Sequence, residues 1–156
     1  MSTNPAMQVE LGPEAVAFMH RQRFFFLASS SDTGSSDCSY RGRAQRTDGS
    51  FDPLVEVLDG SALVLPDYKG NNLFNTLGNL IVNPAIALLF VDFEQDATLQ
   101  IQGRATIEED AGRWSEIWPL AQRYVVVAVT QVQRRAGVQL PALVPAAARA
   151  DAQRVV

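Results

Sequence analysis

Between Leu99 and Ile107 apolar and polar side chains alternate, and this run constrains the fold more than any other. Leu99, Ile101, Ala105 and Ile107 share one face, and Gln100, Gln102, Arg104 and Thr106 share the other. That is the period of a strand with one buried side. Just before it, Ala85 to Phe93 is almost wholly apolar and reads as a central strand. Asp59-Gly60 lies between the short apolar runs Leu54–Leu58 and Ala62–Leu65, a hairpin signal. Upstream, Phe24 to Ala28 is too short for a typical helix and rich in strand formers. Polar Ser29 to Asp37 reads as a turn, Cys38 to Arg43 as a second strand, and Val125 to Val132 as the last.

Three helices are predicted around these strands. The first starts at Gly12-Pro13-Glu14 and runs to Arg21, with Pro in the first turn. The second spans Asn71 to Val82, with Leu73, Phe74, Leu77, Leu80 and Ile81 on one face. The third lies within Glu108 to Tyr124 and carries Trp114, Ile117, Trp118 and Leu120. Hairpin-linked strands dominate, so the expected class is mainly β: an antiparallel barrel or sheet with peripheral helices, not a doubly wound α/β fold. The chain of 156 residues suits one domain over residues 1–144, with 145–156 expected to be a flexible tail.

Composition excludes several functions. A formal net charge of -4 argues against a dedicated nucleic-acid binder. Cys38 is the only cysteine and His20 the only histidine, so neither an internal disulfide nor a cysteine zinc site can form. No apolar run approaches the ~20 residues that span a bilayer. The first residues lack the basic-then-apolar pattern of a signal peptide, so the cytoplasm is the expected location. Neither G-x-G-x-x-G nor a P-loop is present. Charged residues make up 19%, below the ~25% of an average soluble domain, which suggests surface covered by a partner.

The segment Leu65-Pro66-Asp67-Tyr68-Lys69-Gly70-Asn71-Asn72 joins a strand to a helix. Unpaired N–H groups at a helix start, the charge of Lys69, the small Gly70 and the donors of Asn71 and Asn72 make a cradle for a phosphate. The same residues also suit an ordinary helix cap. Arg41, beside Gly42, has the fork to clamp an anion, or is a solvent-facing arginine on an edge strand.

Several spaced motifs then occur in order: RFFFLASS, SYRG, LPDYKGNN, TLGNLIVNP, ALLFVDF and LQIQGRATI. From about residue 18 to 110, and most strongly over 62–107, the chain resembles the pyridoxamine 5′-phosphate oxidase-like family of FMN-binding split-barrel proteins. The resemblance implies a homodimeric antiparallel split β-barrel with FMN at the subunit interface. It implies that Arg41 and Gly42 and the loop Tyr68 to Asn72 lie near the ribityl phosphate. Asp67 and Leu77-Gly78-Asn79 would help form the ribityl and ring side. It also implies a flavin-dependent oxidoreductase with a small-molecule substrate and a nicotinamide electron donor. Alternatives are a non-catalytic flavin- or haem-binding protein and a deazaflavin-dependent reductase. Relatives often carry arginine where Gln100 stands, and Gln100 can still exchange hydrogen bonds with a cofactor. The motifs do not specify pyridoxamine phosphate oxidase itself, whose phosphate loop is more basic.

The remaining candidates have bland readings. His20 is expected at the surface, Cys38 as a structural thiol, and Trp114 and Trp118 as packing residues. Phe24, Phe25 and Phe26 cannot all face one side of a strand, so one or more should meet another layer or a second subunit.

Overall fold

The computed structural model describes residues 10–68, 74–109, 111–144 and 146. Its elements, in chain order, are α1 (Pro13–Arg21), β1 (Phe24–Ser30), β2 (Ser36–Gly42), β3 (Glu56–Asp59), β4 (Ala62–Tyr68), α2 (Phe74–Val82), β5 (Ala85–Asp92), β6 (Ala97–Glu108), α3 (Ala111–Trp114) and β7 (Ala121–Ala136). The strands form one seven-stranded sheet in the order β2-β1-β5-β6-β7-β4-β3, antiparallel at every junction. The mainly antiparallel β class expected from the sequence is the one observed. Among the described residues no helix is long and apolar enough to cross a membrane.

Alternation gives the sheet two faces. Phe25 and Leu27 of β1, Ile86, Leu88 and Phe90 of β5, Leu99 and Ile101 of β6, and Leu63 and Leu65 of β4 are all buried in one core. Phe18 and Met19 of α1 and Leu77 and Leu80 of α2 close that core. In a flat sheet β1 and β4 would stand roughly 19 Å apart, at about 4.8 Å per strand. Their sharing one core therefore requires the sheet to curl around its inner face. Gly103 allows β6 and β7 to approach closely at a bulge: a Cβ there would lie 2.4 Å from the Ala128 carbonyl oxygen.

A smaller cluster forms on the other side of β4. Val64, Trp114, Trp118 and Tyr124 are buried together there. The Trp118 indole Nε1 donates to the Pro53 carbonyl oxygen at 2.8 Å, tying the connection before β3 to the segment after α3. The two tryptophans pack, as expected.

Several boundaries differ from the sequence reading. The first hairpin turn is shorter, because Ser29 and Ser30 still pair in β1 while Ser36 and Asp37 already belong to β2. Leu54 and Val55 are buried but precede β3. β4 extends through Pro66, Asp67 and Tyr68, which pair with β7. β3 pairs only as far as Val64, so at Pro66 one edge of β4 is free and the missing N–H leaves no ladder bond unmade. The helix expected around Trp118 is only the four residues of α3, because Pro119 and the return into β7 stop it. Leu120 is therefore exposed. Ile81, placed on the buried face of α2, is 75% exposed, since the helix rests on the sheet through Leu77 and Leu80. Leu73 and most of the tail, 147–156, lie outside the described residues.

Candidate cofactor site

On β2, period two places Asp37, Ser39 and Arg41 opposite Ser29, Leu27 and Phe25, on the inner face. Arg41 is only 7% exposed, so the solvent-facing alternative is overturned. β2 is an edge strand, but its inner face is roofed by α2. Thr76 Oγ1 donates to Asp37 Oδ2 at 3.3 Å, Asn79 Nδ2 to Ser29 Oγ at 3.2 Å, and Asn83 Nδ2 to Ser30 Oγ at 3.1 Å.

The Arg41 guanidinium is under-used. Its one hydrogen bond among the described residues runs from Nε to Ser39 Oγ at 3.3 Å, and no carboxylate there lies within ion-pair distance. Burial lowers its pKa to about 10, against the opposing influence of Asp67 and Asp37. Asp67 is the matching oddity on β4. It follows Leu63 and Leu65 in alternation on the inner face and is buried, and its Oδ1 has no hydrogen-bond partner among the described residues. Burial raises its carboxyl above the ordinary value, while Arg41 and Arg123 pull it down. A buried guanidinium and a buried carboxyl, both short of partners, form a polar patch in an otherwise apolar interior.

Tyr68 points elsewhere. It is half-buried against the tryptophan cluster, and its hydroxyl donates to Asp52 Oδ2 at 3.4 Å. Burial, then the Asp52 charge, push the phenol well above its ordinary range. Asp52 also takes the Arg46 guanidinium, which donates onward to the Ile117 carbonyl at 2.8 Å. Sequence reasoning did not single out this Arg46–Asp52–Tyr68 network, nor Asp37 and Thr76. Asp37 was recoverable by extending the alternation of Arg41 and Ser39 back two residues. Nothing local in sequence links Tyr68 to Asp52.

Of the remaining expected residues, Leu77 is in the core, Gly78 has open space where a side chain would stand, and Asn79 anchors α2 to β1. Lys69, Gly70, Asn71 and Asn72 lie outside the described residues, directly after β4 in the chain. Gly42 and Gln100 lie on the outer face of the sheet, away from Arg41 and Asp67. Gly42 pairs with Phe24, and Gln100 falls in a cross-strand row with Phe26, Leu89 and Gln133. A single chain thus brings Arg41 and Asp67 together and leaves Gln100 apart.

On β1, β2 and β5 that outer face carries no charged side chain, whereas Arg104 of β6 and Arg135 of β7 bring charge to its other part. Phe24, Phe26 and Tyr40 stack at one corner, with Phe24 and Tyr40 rings 5.5 Å apart. Beside them is a shallow cleft of about 680 Å³, lined by Ala28, Cys38, Ala87, Gln102, Arg104 and Thr130 among others. Small side chains on β1, β2 and β5 make the depression.

Comparison with known proteins places this architecture. The family model for pyridoxamine 5′-phosphate oxidase matches residues 11–150. The chain therefore belongs to the pyridoxamine 5′-phosphate oxidase-like family of FMN-binding split-barrel proteins. Among solved structures, HupZ of Group A Streptococcus is 14% identical, with 81% of this chain and 94% of that one covered and a TM-score of 0.60. A Clostridium acetobutylicum protein related to general stress protein 26 is 16% identical, covering 81% and 88%, at 0.52. An FMN-binding protein from Syntrophomonas wolfei is 8% identical, covering 75% and 78%, at 0.52. At these identities the likeness is one of fold. No curated protein matches the chain.

Proposed function

We propose that the protein is an FMN-dependent oxidoreductase that holds its cofactor between two copies of the chain. The observation that carries this reading is Arg41. A buried guanidinium with one hydrogen bond and no ion pair among the described residues is costly unless an anion completes it. A phosphate provides that charge in bidentate geometry. Lys69, Gly70, Asn71 and Asn72 follow within a few residues of Asp67 in the chain and add positive charge and donors. The open acceptor Oδ1 of Asp67 suits the hydroxyl donors of a ribityl chain. When bound, FMN supplies hydride or electron transfer through its ring. The protein's part is to neutralise the phosphate, orient the ring and keep water from it. The neighbour from Syntrophomonas wolfei is an FMN-binding protein, which favours the same cofactor.

The second copy follows from the outer face. Gln100 lies across the sheet from Arg41, so a site using both needs another protomer to bring a second outer face against the first. The part of that face on β1, β2 and β5, with stacked aromatics and alanines and no charged side chain, can pair with itself without bringing like charges together. It also accounts for the low charged fraction. A small-molecule substrate would reach the ring between subunits, with a nicotinamide as electron donor. A lone free cysteine and a redox cofactor fit a cytoplasmic setting.

The test is an absorbance spectrum of the purified protein, followed by FMN titration with fluorescence detection. Yellow protein, or saturable quenching by FMN, supports the reading. Colourless protein that leaves FMN fluorescence unchanged overturns it. Bound flavin that neither NADH nor NADPH reduces would leave binding without catalysis.

A further inference from the structure

The outer face of β1, β2 and β5 is tall at one end and low at the other. Phe24, Phe26 and Tyr40 stand at the tall end, with Leu89 of β5 opposite Phe26. Two residues further along each strand the side chains shrink. Ala28 pairs with Cys38 on one side and with Ala87 on the other, and Ala87 pairs with Gln102. In the next row on the same face Ser30 pairs with Ser36, and Ala85 pairs with Arg104. Short side chains below aromatic rings leave the cleft of about 680 Å³. That volume lies within the ~300–1,000 Å³ of small-molecule sites.

Charge enters this cleft at one point. Of its lining residues only Asp37 and Arg104 are charged. Asp37 turns its carboxylate to the inner face, where Thr76 Oγ1 donates to Oδ2. Arg104 is exposed on the outer face and makes no ion pair among the described residues. Its partners in the ladder are Ala85 and Ala128, too short to cover a guanidinium. Water solvates an exposed arginine well, so it is the placement that matters. One cation at the rim of an uncharged floor orients a ligand that carries one anionic group. The planar fork takes a carboxylate in two parallel hydrogen bonds. Ala87 is a diagonal neighbour of Arg104, a separation of roughly 7–8 Å that long side chains span. A ring resting on Ala87 therefore brings an attached carboxylate to the guanidinium.

We propose that this cleft binds a small aromatic carboxylate, with its ring flat on the floor of Ala28 and Ala87 beside Phe26 and its carboxylate on Arg104. The hydroxyls of Ser30 and Ser36 at the edge of the floor serve polar ring substituents. Charge complementarity favours this occupant over the low end of a second copy. The β1, β2 and β5 part of another outer face has no carboxylate to offer Arg104. The site lies on the opposite side of the sheet from the Arg41–Asp67 patch, and its binding does not rest on a flavin.

The test titrates naphthalene-2-carboxylate into the full chain by calorimetry, without flavin, and runs the neutral naphthalene-2-carboxamide in parallel. The acid is expected to bind once per chain and at least tenfold more tightly than the amide. Arg104→Gln should weaken the acid at least tenfold and bring the two probes level, and Arg104→Lys should keep part of the preference. Arg135→Gln removes a positive charge from the same face outside the cleft and should change little. Ala87→Phe raises the floor and should abolish binding of both probes, with far-UV circular dichroism unchanged. If that variant fails to fold, Arg104→Gln decides alone. Equal binding of acid and amide overturns the proposal, as does a parent that binds neither. So does acid binding that survives in Arg104→Gln or is lost in Arg135→Gln. Binding absent from the parent but present in Phe26→Glu assigns the cleft to a second copy and also overturns it.

Discussion

Arg41 on β2 and Asp67 on β4 act on each other's charge across the inside of the curled sheet, although their strands are separated in it by β1, β5, β6 and β7. Neither is satisfied by the other: Asp67 Oδ1 accepts no hydrogen bond among the described residues, and no ion pair within 4 Å joins the two. A pair held near but not in contact leaves both groups available to a ligand.

If Arg41 holds the cofactor phosphate, Arg41→Gln should weaken FMN binding about 10- to 100-fold, the usual worth of charge-assisted hydrogen bonds to an anion. Equilibrium titration by flavin fluorescence measures it. Unchanged affinity would move the phosphate away from β2.

Asp67 predicts a pH dependence of stability. Its folded pKa lies above the ordinary carboxylate value, chiefly through burial. Between the unfolded and folded values the native state binds more protons than the unfolded chain, so stability falls as pH rises through that window. Asp67→Asn cannot ionise and should lose that fall. Melting temperatures of both proteins from acid to neutral pH should diverge, with the variant relatively more stable at the neutral end. Parallel curves would show that Asp67 titrates like an exposed carboxyl.

Trp118 anchors the second cluster. Trp118→Phe leaves the Pro53 carbonyl without its donor and should cost about 1–3 kcal/mol. Trp118→Ala should cost about 3–5 kcal/mol by emptying a fully buried site. Denaturant unfolding gives both numbers, and a smaller alanine effect would mean that α3 collapses into the space.

The outer face can be tested with a charge. Phe26 is already partly exposed on a single chain, so Phe26→Glu should leave far-UV circular dichroism unchanged. Placed against its own image, the added carboxylate meets another, and light scattering should show a dimer in the parent and a monomer in the variant. A monomeric parent would remove the two-copy arrangement and leave the low charge unexplained.

Much of the β architecture was legible in the sequence because it rests on local periodicity. The alternation of β6, the apolar run of β5 and the division of Phe25 from Phe24 and Phe26 follow from which neighbours share a pleat. Helix positions were legible where an amphipathic run had clear ends, as in α1. They were not around Trp118, where Pro119 and pairing with β4 and β6 overrode an apparently helical pattern.

By itself, the sequence determined the class of fold, the family motifs and the list of residues able to neutralise an anion. Only the tertiary structure decided how that list divides. It buried Arg41 beside Asp67 and turned the Tyr68 hydroxyl toward Asp52. It also set Gln100 on the opposite face of the sheet. The reason is physical: period and composition act between neighbours in the chain, whereas burial and charge pairing depend on how the sheet curls, and the curl is set by all seven strands together.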